Sequence, residues 1–512
     1  MPDPATPKRK RKLSPDDYTP VSKPSLLTLG AIITIGALLR FYQLESRGMY
    51  DEASSWIYAQ MPWLSFWKVM WGSQGNMVLY YLLLGWWLYL GDSEWTMRSL
   101  SVLFGLATIP AVYLMGSRFF GRQAGLIAGA LLAVHALHIQ LSQHARSYAL
   151  LTLLLVVSTY LFARWVESPH HKGLWWGYVA VSALAHYSHS LAVLVLAAQW
   201  LSLGTALLRR LGIPMIAQTV GAVALASAPM TAFSLFQYKG QVDWVQPLTF
   251  KRFLAVLSGF AGNGGGALMV VWLALIAIAL WHVNRSDGNR AEEKWRVRLL
   301  LCWLLVPIAA LILISLFKPL FIGRFLLMSV PALVLLAGVG IQGLSRHGLR
   351  SRWAAALVLL VALGLSGYGD YKHIQRTHSG YNSFRAWTQH ILTHQQPGDA
   401  AFFFPPAAHK QFNYYSNREP SDRRTLRPTT VFPPFFKSPT GDPPPDPTKE
   451  EVRAAVHAYE RVWLISRAKS DREQSRMLQI IRSTIEEEFA LEREDKFTGE
   501  SNFVVILYAK RR

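Results

Sequence analysis

Residues 40–56, RFYQLESRGMYDEASSW, decide how this chain is interpreted. They directly follow an apolar run at residues 26–39, which with its flanks is long enough to enter a bilayer. Two adjacent carboxylates, Asp51 and Glu52, stand where that helix should leave the membrane. Acidic side chains at a membrane boundary are costly to desolvate, so they tend to face a polar cavity and are functional candidates. The alternative is an ordinary hydrated loop, and other polar groups on the same side must decide between the two.

The composition indicates a polytopic helical membrane protein with a soluble C-terminal part. Of the 512 residues, 51% are hydrophobic and 16% are charged, and the mean hydropathy is +0.20. Apolar runs of helical length recur from about residue 26 to residue 365 and then stop. The net charge of +21 is concentrated in short loops between these runs, which indicates membrane topology rather than nucleic-acid binding. The single cysteine, Cys302, excludes an intrachain disulfide and a cysteine metal site.

Basic residues predict the orientation of the chain. Residues 8–12, KRKRK, place the N-terminus in the cytoplasm, so the first helix acts as an uncleaved signal anchor and carries Asp51 outward. Residues 77–90, MVLYYLLLGWWLYL, are short for a span and rich in Trp and Tyr, as interfacial helices are. If this segment spanned the membrane, the basic loops after it would face outward. We therefore predict a juxtamembrane helix within a first external loop at residues 46–97.

We predict about eleven transmembrane helices within a membrane domain at residues 25–369, after a basic cytoplasmic tail at residues 1–24. The spans lie near residues 25–45, 98–117, 123–141, 147–164, 174–187, 190–208, 214–236, 266–284, 299–317, 320–343 and 353–369. Residues 370–512 are expected to form a small extracytoplasmic α/β domain, large enough for its own core. Its predicted elements are helices at residues 381–394 and 450–459, strands at residues 400–404, 462–466 and 503–508, and a Pro-rich loop at residues 427–447.

Polar side chains that are scarce elsewhere gather at the predicted outer face. The loop after the third span carries His144, Arg146 and Tyr148, the loop before the sixth carries His186 and His189, and the tenth span opens with Arg324. Together with the two carboxylates they can bind an anionic phosphate and deprotonate a hydroxyl. Other interpretations stay open, because the arginines could snorkel to lipid headgroups, the histidines could be satisfied interfacial residues, and the tyrosine could serve packing.

These motifs resemble the C-type membrane glycosyltransferases, specifically glycosyltransferase family 39 with its aminoarabinose-transferase and protein mannosyltransferase relatives. The resemblance covers most of residues 25–370, and the order and spacing of its motifs make it specific. The motifs are the Asp51–Glu52 pair, residues 79–83 (LYYLL), residues 91–100 (GDSEWTMRSL), the run from Arg118 through Gly121 to residues 142–148 (SQHARSY), and residues 324–327 (RFLL) before Pro331.

The resemblance implies transfer of a sugar, hexosyl or pentosyl, from a polyprenyl-phosphate carrier to an acceptor at the outer face, with inversion. Asp51 would be the general base or would orient the acceptor, and Glu52 would orient Asp51 or the sugar hydroxyls. Arg146 and Arg324 would neutralise the departing phosphate. Further substrate-binding candidates are His144, Tyr148, His186, His189 and Tyr80.

The implied partners are a polyprenyl-phosphate sugar, membrane lipids and a lipid, glycan or protein acceptor, with no nucleic acid. We expect a bacterial inner membrane. This chain departs from many relatives by having His144 where they have an acidic residue, and Asn76 where some have a metal ligand. No cofactor is therefore expected, although a divalent metal held by Asp51 and His189 stays open.

Two other classes of protein share this composition. A transporter or flippase of a lipid-linked glycan often has internal repeats and broken helices at the midplane of the membrane. Here no convincing repeat relates the two halves, and the polar residues gather at one surface. A non-catalytic membrane scaffold is the second alternative. Retained function after Asp51→Asn would favour either of them over a transferase.

Overall fold

The structure is a computed structural model of the whole chain. It describes residues 23–46, 48–71, 76–236, 245–285, 291–346, 349–378, 383–404, 408–420, 427–431, 448–468, 472–498 and 502–511. The predicted basic tail, apart from its last two residues, and residues 432–447 of the predicted Pro-rich loop lie outside the described residues.

The part that precedes the C-terminal domain is helical. Its helices are α1 Lys23–Phe41, α2 Glu52–Ala59, α3 Trp63–Val69, α4 Val78–Trp87, α5 Glu94–Phe120, α6 Arg122–Ala133, α7 Ala136–Ser142, α8 Tyr148–Glu167, α9 Lys172–Ser188, α10 Ala192–Leu201, α11 Thr205–Leu211, α12 Ile213–Phe236, α13 Phe250–Phe260, α14 Gly265–Arg285, α15 Ala291–Ser315, α16 Gly323–Leu326, α17 Val330–Ser345 and α18 Leu349–His378. Short 3-10 turns follow α4 and α16. The C-terminal helices and strands are given below.

The predicted membrane fold is confirmed. Among the described residues, eight helices are long and apolar enough to cross a membrane, and the count reaches ten if each of two bent pairs forms one span. The predicted span at residues 174–187 corresponds to α9, which has 17 residues. The segment for which we predict a juxtamembrane position forms a short apolar helix at Val78–Leu90.

Two predicted spans are bent helix pairs rather than straight helices. The α6–α7 pair bends by 62° and the α10–α11 pair by 97°. A break leaves backbone carbonyls at a helix end without helical partners. In both pairs an arginine from another helix bonds to them: Arg40 donates to Leu132 and Ala133 at 3.1 and 2.8 Å, and Arg298 donates to Ser202 at 2.6 Å. Hydropathy alone does not reveal such a break.

Close packing at glycines fixes the centre of the helical part. A Cβ added at Gly116 on α5 would lie 2.8 Å from the Cα of Gly125 on α6, so these two helices meet backbone to backbone. A Cβ at Gly340 on α17 would lie 2.3 Å from the carbonyl oxygen of Leu275 on α14. Accordingly 89% of the apolar stretch within Gly323–Ser345, which includes α17, is buried, against 17% of that within α1. Helix α17 is therefore the core of the bundle and α1 lies at its periphery.

The C-terminal domain is an α/β sheet. Its elements are α19 Ser383–His394, β1 Ala400–Phe404, α20 Ala408–Ser416, β2 Thr429–Val431, α21 Lys449–Val456, β3 Arg461–Arg467, α22 Arg472–Glu488, β4 Phe489–Phe497 and β5 Phe503–Lys510. The strand order is β2-β1-β3-β5-β4, with β1 parallel to β2 and β3, and β5 antiparallel to β3 and β4. The predicted strands are thus present as β1, β3 and β5.

Alternation along the strands divides the sheet into two faces. In β1, Phe403 packs with Trp387 of α19, while Phe402 and Phe404 belong to the core formed with α21 and α22. This period of two is what a strand with both faces covered requires. Helix α18 continues past the predicted domain boundary at residue 369 as far as His378, so α19 is the first element of the C-terminal domain.

Candidate active site

Asp51 lies in the turn between α1 and the short helix α2, and it faces the start of the late helix pair α16–α17. Its Oδ2 accepts a hydrogen bond from Nη1 of Arg324 at 2.7 Å. Both side chains remain partly exposed, at 35% and 30%. Burial raises the pKa of Asp51, but the positive charges of Arg146 and Arg324 outweigh burial, so its pKa lies below the usual value. The carboxylate is therefore ionised at neutral pH.

Arg146 approaches the same turn from the loop between α7 and α8. Its Nη1 donates to the backbone carbonyl of Asp51 at 3.4 Å, across 95 residues of sequence. Its Nε is buried and has no hydrogen-bond partner among the described residues. The rings of Tyr58, Tyr81 and Tyr148 lie within electrostatic range of it. A buried guanidinium surrounded by rings and lacking a carboxylate contact favours an anion from outside the chain.

Glu52 has the opposite environment from its neighbour. Arg98 of α5 holds its carboxylate through two hydrogen bonds of 2.9 and 2.7 Å, and the backbone N–H of Ala145 donates to it at 2.8 Å. Its side chain is 4% exposed and that of Arg98 is 1% exposed. Arg98 also donates to the carbonyls of Leu44 and Gly48. Of the two roles predicted for Glu52, this geometry favours orienting Asp51, because it fixes the turn before Asp51 and the loop that carries Arg146.

His144, Tyr148 and His189 lie near the Asp51–Arg324 pair. His144 is within electrostatic range of both carboxylates. The ring of Tyr148 lies 6.1 Å from that of His189, and together with Arg324 they line a small cavity. His189 is held by Asn76, whose amide lies 3.3 Å from its Nε2. Burial, and then the charge of Arg146, lower the pKa of His189 to about 3, so its imidazole is neutral.

Two predicted substrate-binding residues point away from Asp51. His186 contacts Thr231 of α12 at 3.3 Å. The hydroxyl of Tyr80 lies 2.7 Å from that of Ser101, which in turn donates to the carbonyl of Arg146 at 3.2 Å. Tyr80 is fully buried. Its geometry favours support of the Arg146 loop over contact with a substrate.

The C-terminal domain docks against the site through α20. The amide of Gln411 donates to the carbonyl of Tyr50 at 2.6 Å, and Arg418, just after α20, forms an ion pair with Asp92 at 2.6 Å. The ring of Trp56 packs edge-on against Tyr414 at 5.4 Å. The site therefore lies at the interface between the helical bundle and the C-terminal domain.

Two further residues that the structure brings to this region are not among the predicted site residues. Arg98 could have been found, because a charge four residues into an apolar helix needs a buried partner, and Glu52 is one of few acids available. Lys410 of α20 donates to the hydroxyls of Ser54 and Tyr58 at 3.1 and 3.3 Å. Nothing in the local sequence indicates this contact, which joins residues 356 and 352 positions apart.

A divalent metal suits this arrangement poorly. Among the described residues no group of three His, Cys, Asp or Glu side chains is placed to hold an ion. The charges argue in the same direction, because Asp51, which is paired with Arg324, also lies within electrostatic range of Arg146 and Lys410. Cations are repelled from such a set and anions are attracted to it.

Residues 74–233 match the sequence family described as dolichyl-phosphate-mannose-protein mannosyltransferase. No curated protein sequence matches the chain. Among solved structures, ArnT from Cupriavidus metallidurans bound to undecaprenyl phosphate is similar, with 13% identity and a TM-score of 0.56 over 95% of this chain and 98% of that chain. The archaeal oligosaccharyltransferase AglB from Archaeoglobus fulgidus, in complex with an inhibitory peptide and a dolichol-phosphate, has 11% identity and a TM-score of 0.51 over 96% of this chain and 74% of that chain.

The resemblance to the C-type membrane glycosyltransferases is thereby confirmed. The sequence match lies in the segment that includes α4 to α10, with the Arg146 loop and His189. The likeness in fold extends over nearly the whole chain, including the C-terminal domain. The chain is an integral membrane protein with the fold of these enzymes.

Proposed function

We propose that the protein transfers a hexosyl or pentosyl group from a polyprenyl-phosphate-linked sugar to an acceptor at the extracytoplasmic face of the membrane, with inversion at the transferred carbon. The observation that carries this proposal is the convergence of Asp51 with Arg146 and Arg324. Arg324 is 273 residues away in sequence, yet it lies in hydrogen-bond contact with the carboxylate. One ionised carboxylate beside two arginines is the set that hydroxyl activation and phosphate departure need.

The ion pair between Asp51 and Arg324 couples donor binding to the basicity of Asp51. Before donor binds, each group compensates the charge of the other at 2.7 Å. A donor phosphate competes with Asp51 for Arg324, because guanidinium groups bind phosphate oxygens in pairs. Once Arg324 binds phosphate, Asp51 loses its hydrogen-bond donor and its pKa rises. The carboxylate thus becomes a stronger base when the donor is in place.

The transfer step follows from these positions. The oxygen of the acceptor hydroxyl attacks the anomeric carbon of the donor, and Asp51 accepts the proton of that hydroxyl. The bond between that carbon and the phosphate oxygen breaks, and its electron pair leaves with polyprenyl phosphate. Arg146 and Arg324 bind the negative charge that develops on that oxygen. We take the attack to occur opposite the leaving phosphate, so that a single displacement inverts the anomeric centre.

The distribution of charge along the bundle supports this orientation. Helix α5 begins near the site and ends beside Arg122, and α17 begins near Arg324 and ends before Arg346. Arg122, Arg346 and Arg352 line a cavity at that far end. Positive loops face the cytoplasm in membrane proteins. We therefore place the site and the domain at residues 370–512 outside the cytoplasm and residues 25–369 in the membrane, and retain a bacterial inner membrane as the predicted location.

Release of polyprenyl phosphate tests the proposal. Purified protein in lipid nanodiscs is mixed with a panel of polyprenyl-phosphate hexoses and pentoses, together with lipid, glycan and peptide acceptors. Wild type is compared with Asp51→Asn and with the control Glu292→Gln. Glu292 lies in the first turn of α15, and its side chain is 74% exposed. Release that is supported by one donor, lost in Asp51→Asn and kept in Glu292→Gln is the expected result. Release that survives Asp51→Asn would remove the base from this turn, and movement of intact lipid-linked sugar across the bilayer would favour a flippase.

A further inference from the structure

Helix α20 is held against the helical bundle at several points around Asp51. Besides the contacts of Gln411 and Arg418, the hydroxyl of Tyr415 accepts from the backbone N–H of Met49 at 3.2 Å, and the hydroxyl of Tyr414 donates to the carbonyl of Asp92 at 3.1 Å. These bonds reach the turn before α2 and the residues that precede α5. The position of α20 is therefore set by the same turn that carries the reactive carboxylate.

Lys410 projects from α20 into this interface. Lys410 contacts neutral groups there: the Ser54 hydroxyl at 3.1 Å, the Tyr58 hydroxyl at 3.3 Å, and the face of the Tyr58 ring with its centroid at 5.5 Å. Hydroxyl groups orient an ammonium but do not neutralise it. A lysine used only for docking two domains would be better served by a carboxylate.

The nearest charges explain what this lysine is suited to bind. Burial, and then the nearby charge of Arg146, lower the pKa of Lys410. The charge of Asp51 raises this pKa, but its effect is smaller. Tyr58 lies between the two cations, within electrostatic range of Arg146 and in contact with Lys410. Asp51 is already paired with Arg324. Two cations thus face one region without a carboxylate of their own, which a bound anion would compensate.

We propose that Lys410 binds the phosphate of the polyprenyl carrier together with Arg146 and Arg324, so that the C-terminal domain completes the donor site. This inference rests on the proposed function, since it takes the anion to be the carrier phosphate. Arg324 and Arg146 come from the helical bundle, and Lys410 comes from α20 of the C-terminal domain. The released polyprenyl phosphate carries more negative charge than the phosphodiester donor, so Lys410 is expected to matter most for product binding and for the transition state that resembles it.

The test measures preference for a phosphate rather than binding as a whole. Wild-type protein in nanodiscs is titrated with polyprenyl phosphate and with the uncharged polyprenol of the same length, and the ratio of the two dissociation constants is recorded. Variants are Lys410→Met, Lys410→Arg and the control Lys449→Met. Lys449 lies on α21, is paired with Glu487 at 2.6 Å, and is 58% exposed.

The expected result is a fall in phosphate preference of about tenfold or more in Lys410→Met, the size of a charged hydrogen bond. Lys410→Arg should keep most of the preference and Lys449→Met all of it. A general loosening of the domain interface would weaken both lipids alike and leave the ratio unchanged. An unchanged ratio in Lys410→Met would therefore overturn the inference. If wild-type protein itself binds the two lipids equally, the proposed function fails as well as the inference. That outcome differs from failure of the inference alone, in which wild type prefers the phosphate and Lys410→Met keeps the preference.

Discussion

Asp51 and Glu52 are neighbours in sequence and lie in opposite environments. The region around Glu52 is buried and its polar groups are paired: the Glu52 carboxylate accepts three hydrogen bonds, and its partner Arg98 is 1% exposed. The region around Asp51 is open, with a carboxylate that is 35% exposed and a surplus of cations nearby. Successive side chains at a helix start point about 100° apart, so adjacent acids reach different surroundings. The difference separates a structural carboxylate from a reactive one.

The same contrast predicts which property each region controls. A buried ion pair contributes little net stability when intact, but loss of one partner leaves an uncompensated charge in a dry site. Loss of a partly exposed charge leaves a group that water can solvate, so stability is largely kept. Variants near Glu52 should therefore reduce stability, and variants near Asp51 should reduce turnover.

The largest expected effect is on stability, in Arg98→Met. Removing this side chain leaves Glu52 buried without its cation and should cost about 3–5 kcal/mol. The measurement is the thermal unfolding midpoint of purified protein, followed by size-exclusion chromatography after heating. The control is Arg482→Met, whose pair with Glu486 is 41% exposed on both sides and should contribute under about 1 kcal/mol. Equal decreases of the unfolding midpoint in Arg98→Met and Arg482→Met would contradict this account, because the buried pair would then contribute no more than an exposed one.

The next effect is on turnover, in Arg146→Ala. This guanidinium is expected to bind charge on the departing phosphate, and loss of such a donor reduces kcat by about 100- to 1,000-fold. Steady-state release of polyprenyl phosphate measures it, and the unfolding midpoint should change little. Arg146→Lys should lie between the two, because it keeps the charge and loses the paired geometry. A variant that raises KM alone would assign Arg146 to ground-state binding.

A smaller effect, on pH dependence, is expected in Arg324→Gln. In wild type the depressed pKa of Asp51 keeps it ionised, so activity should persist as pH falls until the carboxylate is protonated below its ordinary value. Without Arg324 the effect of burial has less opposition, so the pKa of Asp51 should rise. The acidic limb of the kcat/KM profile, which reports the enzyme before the donor displaces Arg324 from Asp51, should therefore move to higher pH. A limb that stays in place would show that Asp51 is not the titrating base.

The smallest effect is expected in Tyr80→Phe. Its hydroxyl contacts Ser101, which bonds to the backbone of Arg146, so the variant removes support from the Arg146 loop and leaves the ring in place. A net hydrogen bond contributes about 1 kcal/mol. We expect a small loss in the unfolding midpoint and a few-fold reduction in turnover. A loss as large as that of Arg146→Ala would mean that Tyr80 contacts the substrate directly.

Most of the fold was predictable because the bilayer imposes simple rules. Apolar runs of sufficient length must form helices, and charge in the loops sets their order across the membrane. The breaks in the α6–α7 and α10–α11 pairs were not predictable, since the arginines that bond to the free carbonyls come from distant helices. Strand β4 was missed for another reason. Its residues, FALEREDKF, are mostly exposed at a sheet edge and lack the alternation that marks a strand.

The candidate site was predictable where a residue type was costly for its position. Asp51, Arg146 and Arg324 are charged groups at apolar boundaries, and they lie together in the structure. Sequence could not assign different environments to Asp51 and Glu52, because these depend on which helix supplies an arginine to each. Lys410 had no signal at all. It lies on a short polar helix whose role comes entirely from docking.

The most direct test of this division compares Asp51→Asn with Glu52→Gln in two measurements on the same preparations. The first is the rate of polyprenyl phosphate release, and the second is the unfolding midpoint. The account predicts that Asp51→Asn keeps the wild-type midpoint while its rate falls by about 100-fold or more, and that Glu52→Gln lowers the midpoint by leaving Arg98 uncompensated. A wild-type rate in Asp51→Asn, or a Glu52→Gln protein that is fully stable and inactive, would contradict it.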